Sequence, residues 1–149
     1  MEYNPADIVP YKRSRFQTRL PKGRLFTQSH FWLHEVEPGV WRIGLTRFAT
    51  RMLGEIVEHG FEVKPGDLVK VGQTIGWLEG FKALTDLYCV ADGTFAGGNP
   101  DLDADTTLLD KDPYYRGWLY QVRGTPEPNA LPVEGYIHLL DATIDKMTS

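Results

Sequence analysis

The chain has 149 residues, 42% of them hydrophobic and 24% charged, a balance that suits one packed domain and argues against wholesale disorder. No apolar stretch is long enough to cross a bilayer, and residues 1–7 lack the apolar core and cleavage pattern of a secretory signal. A single cysteine, Cys89, cannot form an internal disulfide, so we expect a cytoplasmic protein without membrane association.

Charge is unevenly distributed along the chain. Residues 12–24 contain six basic residues and no acid, whereas residues 25–149 contain ten basic and eighteen acidic residues. This pattern predicts a basic extended leader at residues 1–29 and an acidic domain at residues 30–149. Nucleic-acid binding is not expected, because the acidic body would repel phosphates. The leader could be a solvated tail, a strap on the body or a docking arm. Our hypothesis is an arm that binds a partner and stays outside the core.

The first half of the domain predicts strands and one short helix. Fifteen glycines and ten prolines favour short strands joined by tight turns. Two strands are expected on either side of Glu37-Pro38-Gly39. A helix is expected near 46–53, with Thr46 as its cap and Gly54 at its end. Strands at Thr74–Glu79 and Leu84–Val90 then form a hairpin with Lys82 at or beside its tip.

The second half is less regular. Residues 97–117 predict loops, residues 117–122 a further strand, and residues 125–132 a Pro-rich linker. A C-terminal helix is expected near 134–147, because apolar residues recur on one stripe of it. The stripe consists of Tyr136, Ile137, Leu140, Ile144 and Met147.

Familiar catalytic and metal-binding patterns are missing from the sequence. It has no phosphate-binding loop, dinucleotide fingerprint, nucleophile elbow or zinc-type Cys/His spacing. The Asp-rich run that starts at Asp101 resembles a calcium loop, but Thr106 stands where the loop needs glycine and Asp112 where it needs glutamate. The four histidines predict no metal site, and Cys89 predicts a small buried side chain. We therefore expect no catalytic residues and no metal ligands.

Lys82 is the most distinctive position. Most lysines are solvated surface charges. A lysine on a rigid hairpin tip, however, is accessible to a modifying enzyme, and its four-carbon stem extends an attached group into solvent. Acylation also removes the charge, so the attached group could rest against the protein without burying an ammonium.

Several motifs in this region resemble the glycine cleavage system H protein and its lipoyl-bearing relatives. The family's Glu-Ser-Val-Lys-Ala corresponds to Glu79-Gly80-Phe81-Lys82-Ala83, and its Ser-Asp-Leu-Tyr to Thr85-Asp86-Leu87-Tyr88. Upstream and downstream motifs follow in the same order: Gly44–Ala49, Leu53–Val57, Asp112–Tyr114 and Gly117–Leu119.

The resemblance implies a mainly β, hybrid barrel-sandwich fold with lipoic acid amide-linked to Lys82. In the family, the glutamate three residues before this lysine and the glycine eleven after it matter for the lipoate-attaching enzyme; here they are Glu79 and Gly93. Such a protein is not an enzyme but a covalent-cofactor carrier, a swinging arm that shuttles intermediates between partner enzymes.

Departures from the family motifs bear on the cargo. Gly80-Phe81 replaces Ser-Val, Asn99-Pro100 and Asp105-Thr106 differ downstream, and the basic leader is foreign to the ordinary carrier. These features look more like lipoate-binding proteins of the heterodisulfide-reductase-like sulfur-oxidation system, so sulfur intermediates and that complex are our first expectation. The alternative is a glycine cleavage carrier of aminomethyl, working with the P and T proteins and the L protein, a dihydrolipoamide dehydrogenase. A second alternative is a lipoate-free binding module of the same fold.

Overall fold

A computed structural model describes residues 5–149 of the chain. After a 3-10 turn at Pro5–Asp7, the strands in this part of the chain are β1 (Ile8–Arg13), β2 (Phe16–Pro21), β3 (Leu25–Phe26), β4 (Phe31–Glu37), β5 (Val40–Leu45), β6 (Ile56–Phe61), β7 (Leu68–Val69), β8 (Thr74–Gly80), β9 (Leu84–Tyr88), β10 (Ala91–Gly98) and β11 (Tyr120–Pro126). The helices are α1 (Arg47–Leu53), α2 (Asp101–Ala104), α3 (Leu108–Lys111) and α4 (Val133–Thr148).

The strands form three antiparallel sheets. The largest has the order β3-β4-β5-β11-β10-β7, the second β6-β8-β9, and β1 and β2 pair as a separate hairpin. One apolar cluster takes side chains from both larger sheets, Ile43 and Val122 from the first and Ile75, Leu78 and Leu87 from the second. The two sheets therefore pack on each other, which confirms a mainly β fold built from packed sheets.

The N-terminal hairpin β1–β2 packs against α4. Leu20 and Phe26 are completely buried, Phe16 is 7% exposed, and all three belong to a second apolar cluster with Tyr136 and Leu140 of α4. The expectation that the basic leader stays outside the core is therefore wrong. Along β2, the buried Phe16 and Leu20 lie on one face and the exposed Gln17 and Arg19 on the other, and the high charge of the leader hides this two-residue period in the sequence.

Charged residues of the leader also make specific contacts. Arg13 pairs with Asp145 at 2.7 Å and Asp141 at 3.2 Å on α4. Arg24 is 5% exposed, donates a hydrogen bond to the Tyr114 carbonyl, and stacks over Trp32 at 4.5 Å. Burial lowers the pKa of Arg24 to about 10. Arg24 is thus a core residue.

The two predicted helices are confirmed. Thr46 caps α1 by accepting a hydrogen bond from the Ala49 amide, and Gly54 ends the helix at a φ of 80°. α4 buries Tyr136, Leu140 and Ile144 of the predicted stripe, while Met147 is 57% exposed in the last turn of the helix. None of the helices in residues 5–149 is long and apolar enough to span a membrane.

Two predictions for the second half need correction. Residues 97–117 contain the helical turns α2 and α3 rather than loops alone. The strand expected at 117–122 lies at Tyr120–Pro126, because β11 pairs with β5 on one side and with β10 on the other. This pairing extends into the segment that was expected to be a linker, with Pro126 opposite Ala91.

Candidate functional site

The hairpin of β8 and β9 ends in a tight turn that presents Lys82. The amide of Gly80 donates to the carbonyl of Ala83 at 2.9 Å, which leaves Phe81 and Lys82 as the turn residues. Two-residue hairpin turns favour conformations with positive φ. Neither Phe81 nor Lys82 has a positive φ, so contacts from outside the hairpin are needed to hold this tip.

Those contacts come from the connection between α1 and β6. The Lys82 amide donates to the Leu53 carbonyl at 2.9 Å and the Phe81 amide to the Glu55 carbonyl at 3.1 Å. Nζ of Lys82 also donates to the Arg51 carbonyl at 3.2 Å. The backbone of the tip is therefore fixed, while the Lys82 side chain is exposed to solvent.

Two glycines permit this close approach. A Cβ at Gly80 would lie 2.2 Å from the Leu53 carbonyl oxygen, and one at Gly54 would lie 2.9 Å from the Lys82 amide nitrogen. Gly54 also has a φ of 80°, a conformation that L side chains rarely adopt. Gly80, at one of the departures from the family motif, is thus required by the packing of the tip on α1.

Asp110 of α3 anchors the same connection, and the sequence analysis missed it. Its Oδ2 accepts from the Ile56 amide at 3.0 Å, and its carbonyl accepts from the Arg47 guanidinium. Burial raises the pKa of the Asp110 carboxyl. An Asp within a predicted loop carries no sequence signal for this role, because the partners lie more than fifty residues away.

Exposed apolar side chains surround the tip. Phe81 is 75% exposed, Leu84 70%, Met52 47% and Val57 41%. Met52 precedes Leu53, which bonds to the tip, and Val57 is the extra residue of a bulge opposite Gly80 and Glu79. Apolar patches of this kind mark surfaces that contact another molecule. Among these residues, only the exposure of Phe81 could have been predicted from the sequence, because Phe81 precedes Lys82 at the hairpin tip.

Glu79 is the last charged residue before the tip. Its side chain is exposed, and its cross-strand neighbours are Glu58 on β6 and Leu84 on β9. Like charges directly opposite each other destabilise a sheet. Stability therefore gives no reason for a carboxylate at position 79, and the recognition role of Glu79 stays a prediction.

Gly93 lies in a different sheet from Glu79. It is in β10, paired with Gly124 on β11 and Val69 on β7. Its φ is 151°, and a Cβ there would lie 2.1 Å from the Arg123 carbonyl oxygen. Backbone packing is thus sufficient to require glycine at this position.

Other reactive side chains are placed away from the tip or are inert. Cys89 is 1% exposed, donates to the Ala91 carbonyl, and burial raises the pKa of its thiol, which disfavours a redox role. His30 contacts the Tyr136 hydroxyl at 2.9 Å. Asp101–Ala104 forms a helical turn, and no metal-binding group of three His, Cys, Asp or Glu side chains occurs within residues 5–149.

Comparisons with known proteins agree with this geometry. The family model described as "Glycine cleavage H-protein" matches residues 24–134. The glycine cleavage system H protein of Streptomyces coelicolor is 37% identical over 110 residues, which cover 72% of this chain and 86% of that protein. That of Corynebacterium jeikeium is 33% identical over 124 residues, 80% of this chain and 95% of that protein.

A solved structure shows the same fold. The crystal structure of a glycine cleavage system H protein from Mycobacterium marinum matches with a TM-score of 0.70 and 30% identity, over 78% of this chain and 95% of that chain. The match confirms the barrel-sandwich expectation. The matched family range begins at residue 24, so the hairpin β1–β2 lies outside it.

Proposed function

Because the chain belongs to the glycine cleavage H-protein family, we propose that it is a lipoyl carrier, with lipoic acid joined as an amide to Nζ of Lys82. The observation that carries the proposal is the exposed Lys82 side chain on a tip whose backbone is fixed by the Leu53 and Glu55 carbonyls. In this reading the chain is not an enzyme: it holds and presents the group on which its partners act.

The residues at the tip fit such a group. An amide at Nζ removes the ammonium charge, so Phe81 and Leu84 offer exposed apolar surface against which an uncharged arm can rest. When attached, the dithiolane supplies a strained disulfide that opens to accept a group on one sulfur. The chain contributes the fixed tip, the reach of the lysine stem, and the carboxylate of Glu79 as a recognition feature for the lipoate-attaching enzyme.

For the cargo, we propose an aminomethyl group passed among the P, T and L proteins of glycine cleavage. The support is that eight similar curated proteins carry the name glycine cleavage system H protein. This replaces our first expectation of sulfur intermediates and a heterodisulfide-reductase-like partner, which no comparison supports. The sulfur cargo stays a second candidate because Gly80-Phe81 departs from the family motif and the hairpin β1–β2 lies outside the range that matches the family.

The decisive experiment is co-expression with a lipoate-attaching enzyme. We expect the intact mass to rise by one lipoyl group, peptide mapping to place it on Lys82, and Lys82→Arg to abolish the gain without changing the melting temperature. Lys64→Arg, at another exposed lysine in a turn, is the matched control and should be modified normally. Lipoate on Lys64 would contradict the assignment of the site to Lys82. An unmodified wild-type chain would contradict the carrier function and favour a lipoate-free binding module.

An activity assay with each candidate partner identifies the cargo of the lipoylated chain. We expect it to support glycine decarboxylation by a P protein, and the Lys82→Arg protein not to do so. Activity only with a heterodisulfide-reductase-like complex would establish the sulfur candidate instead.

A further inference from the structure

A groove of about 590 Å³ lies between the N-terminal hairpin and the loop after α3. One wall consists of residues of β1 and β2, and the other of Arg47 and residues 111–115. Its volume lies within the range of sites that hold a ligand rather than a single ion. Pro10, Tyr11, Pro113 and Tyr114 give it apolar and aromatic surface between the charged side chains.

The groove is strongly basic on a chain of net charge −4. Its lining includes Lys12, Arg19, Arg47 and Lys111, with Asp112 as the single acidic residue. Lys12 and Lys111 are exposed, on opposite walls, and form no ion pair with any residue in the described part of the chain. A cleft lined by one sign of charge attracts the opposite sign.

The groove depends on this chain's own hairpin. Pro10, Lys12 and Arg19 lie outside residues 24–134, the range that matches the family, whereas Arg47 and Lys111 lie inside it. The site therefore arises where a hairpin outside the matched range meets the matched part of the chain.

The groove and the hairpin tip lie at opposite ends of α1. Arg47, the first residue of α1, lines the groove, and Leu53, the last, accepts the hydrogen bond from the Lys82 amide. Seven helical residues span roughly 10 Å. A protein that covers Lys82 can therefore reach the groove in the same encounter.

We propose that this groove is the docking site for an acidic peptide segment of the partner protein that acts at Lys82. The identity of that partner rests on the proposed carrier function; the binding of an acidic peptide does not. The mixed lining favours a peptide, since Tyr11 and Pro113 can contact apolar stem atoms while Lys12 and Lys111 pair with carboxylates at the two rims. The Arg47 guanidinium, already bonded to the Asp110 carbonyl, adds positive charge on the same wall as Lys111.

The test uses the full chain and a fluorescein-labelled hexaglutamate peptide, titrated by anisotropy at low ionic strength. We expect saturable binding that Lys12→Gln/Lys111→Gln weakens about five-fold or more, since two rim charges are lost. The matched control is Lys70→Gln/Lys146→Gln, which removes two exposed lysines that do not line the groove and should change binding less than about two-fold. Both double variants should melt like the wild type.

Three outcomes would overturn the proposal: no saturable binding, equal weakening in the two double variants, or displacement of the peptide by inorganic phosphate at the peptide's own concentration. The second would show only diffuse charge attraction, and the third a small-anion site. The Lys82→Arg protein should bind the peptide normally, so a failure of lipoylation and a failure of docking are distinguishable. With the lipoylated chain as substrate, the groove variant should raise the partner enzyme's KM and leave its kcat unchanged.

Discussion

At the residue scale, a substitution of Glu79 can test recognition without a loss of stability, because the charge of Glu79 has no stabilising partner in the sheet. It lies opposite Glu58, so Glu79→Gln should leave the melting temperature unchanged or slightly higher while lowering lipoylation. Glu58→Gln is the matched control, since it relieves the same repulsion and should be modified normally. The measurements are intact mass after co-expression with a lipoate-attaching enzyme and thermal melting. Normal modification of Glu79→Gln would remove its recognition role.

Gly93 behaves differently, because its backbone conformation and its neighbours both exclude a side chain. From the sequence, Gly93 was expected to serve modification rather than stability. With a Cβ 2.1 Å from the Arg123 carbonyl oxygen, we expect Gly93→Ala to lower the free energy of unfolding by about 1–3 kcal/mol. Urea unfolding measures this loss, and lipoylation is assayed well below the melting temperature. If Gly93→Ala had wild-type stability but were not lipoylated, Gly93 would serve recognition by the lipoate-attaching enzyme and not stability.

At the scale of elements, the hairpin β1–β2 is part of the folded body. Leu20 is fully buried against the cluster that includes α4. We expect Leu20→Ala to lower the free energy of unfolding by about 2–5 kcal/mol, as is usual for a leucine removed from a core. Gln17→Ala, at an exposed site of the same strand, should be nearly neutral. Equal melting of both variants would mean that the hairpin is a detachable arm.

The tip of the hairpin β8–β9 is held in place by contacts from another element. Its turn residues lack the positive φ that favours a free-standing two-residue hairpin, and the carbonyls at the end of α1 hold the tip instead. The rigidity of the Lys82 position therefore depends on α1, on Gly54 and on the anchoring of the connection by Asp110.

At the scale of the whole molecule, half-buried histidines make the free energy of unfolding depend on pH. Burial lowers the pKa of His30 to about 4 and also lowers the pKa of His34 and His59. Between about pH 6.5 and 4 the unfolded chain binds protons that the folded chain does not, so stability is lost as the pH falls through this range.

We expect the free energy of unfolding to drop by about 1–3 kcal/mol between pH 7 and pH 5, measured by urea unfolding. His30→Asn should flatten this dependence, since asparagine tolerates the φ of 69° at this position. Gln17→Ala, at an exposed position without a titratable side chain, is the control and should leave the slope as it is. A slope unchanged by His30→Asn would assign the effect to other groups.

The sequence by itself determined the parts whose signals are local. Thr46 and Gly54 mark the ends of α1, the apolar stripe marks α4, and the motif around Lys82 identifies the hairpin and the family. Each rests on residues close together in the chain, where capping, periodicity and turn chemistry act.

Only the tertiary structure decided what depends on distant partners. β11 is longer and later than expected because β5 and β10 pair with it from both sides, and the basic leader folds because α4 buries its apolar face. The bonds from Leu53 and Glu55 to the tip, and the groove shared by β1–β2 and residues 111–115, join segments far apart in sequence. Such contacts leave no periodic or local pattern, because their energy comes from surfaces that meet only after folding.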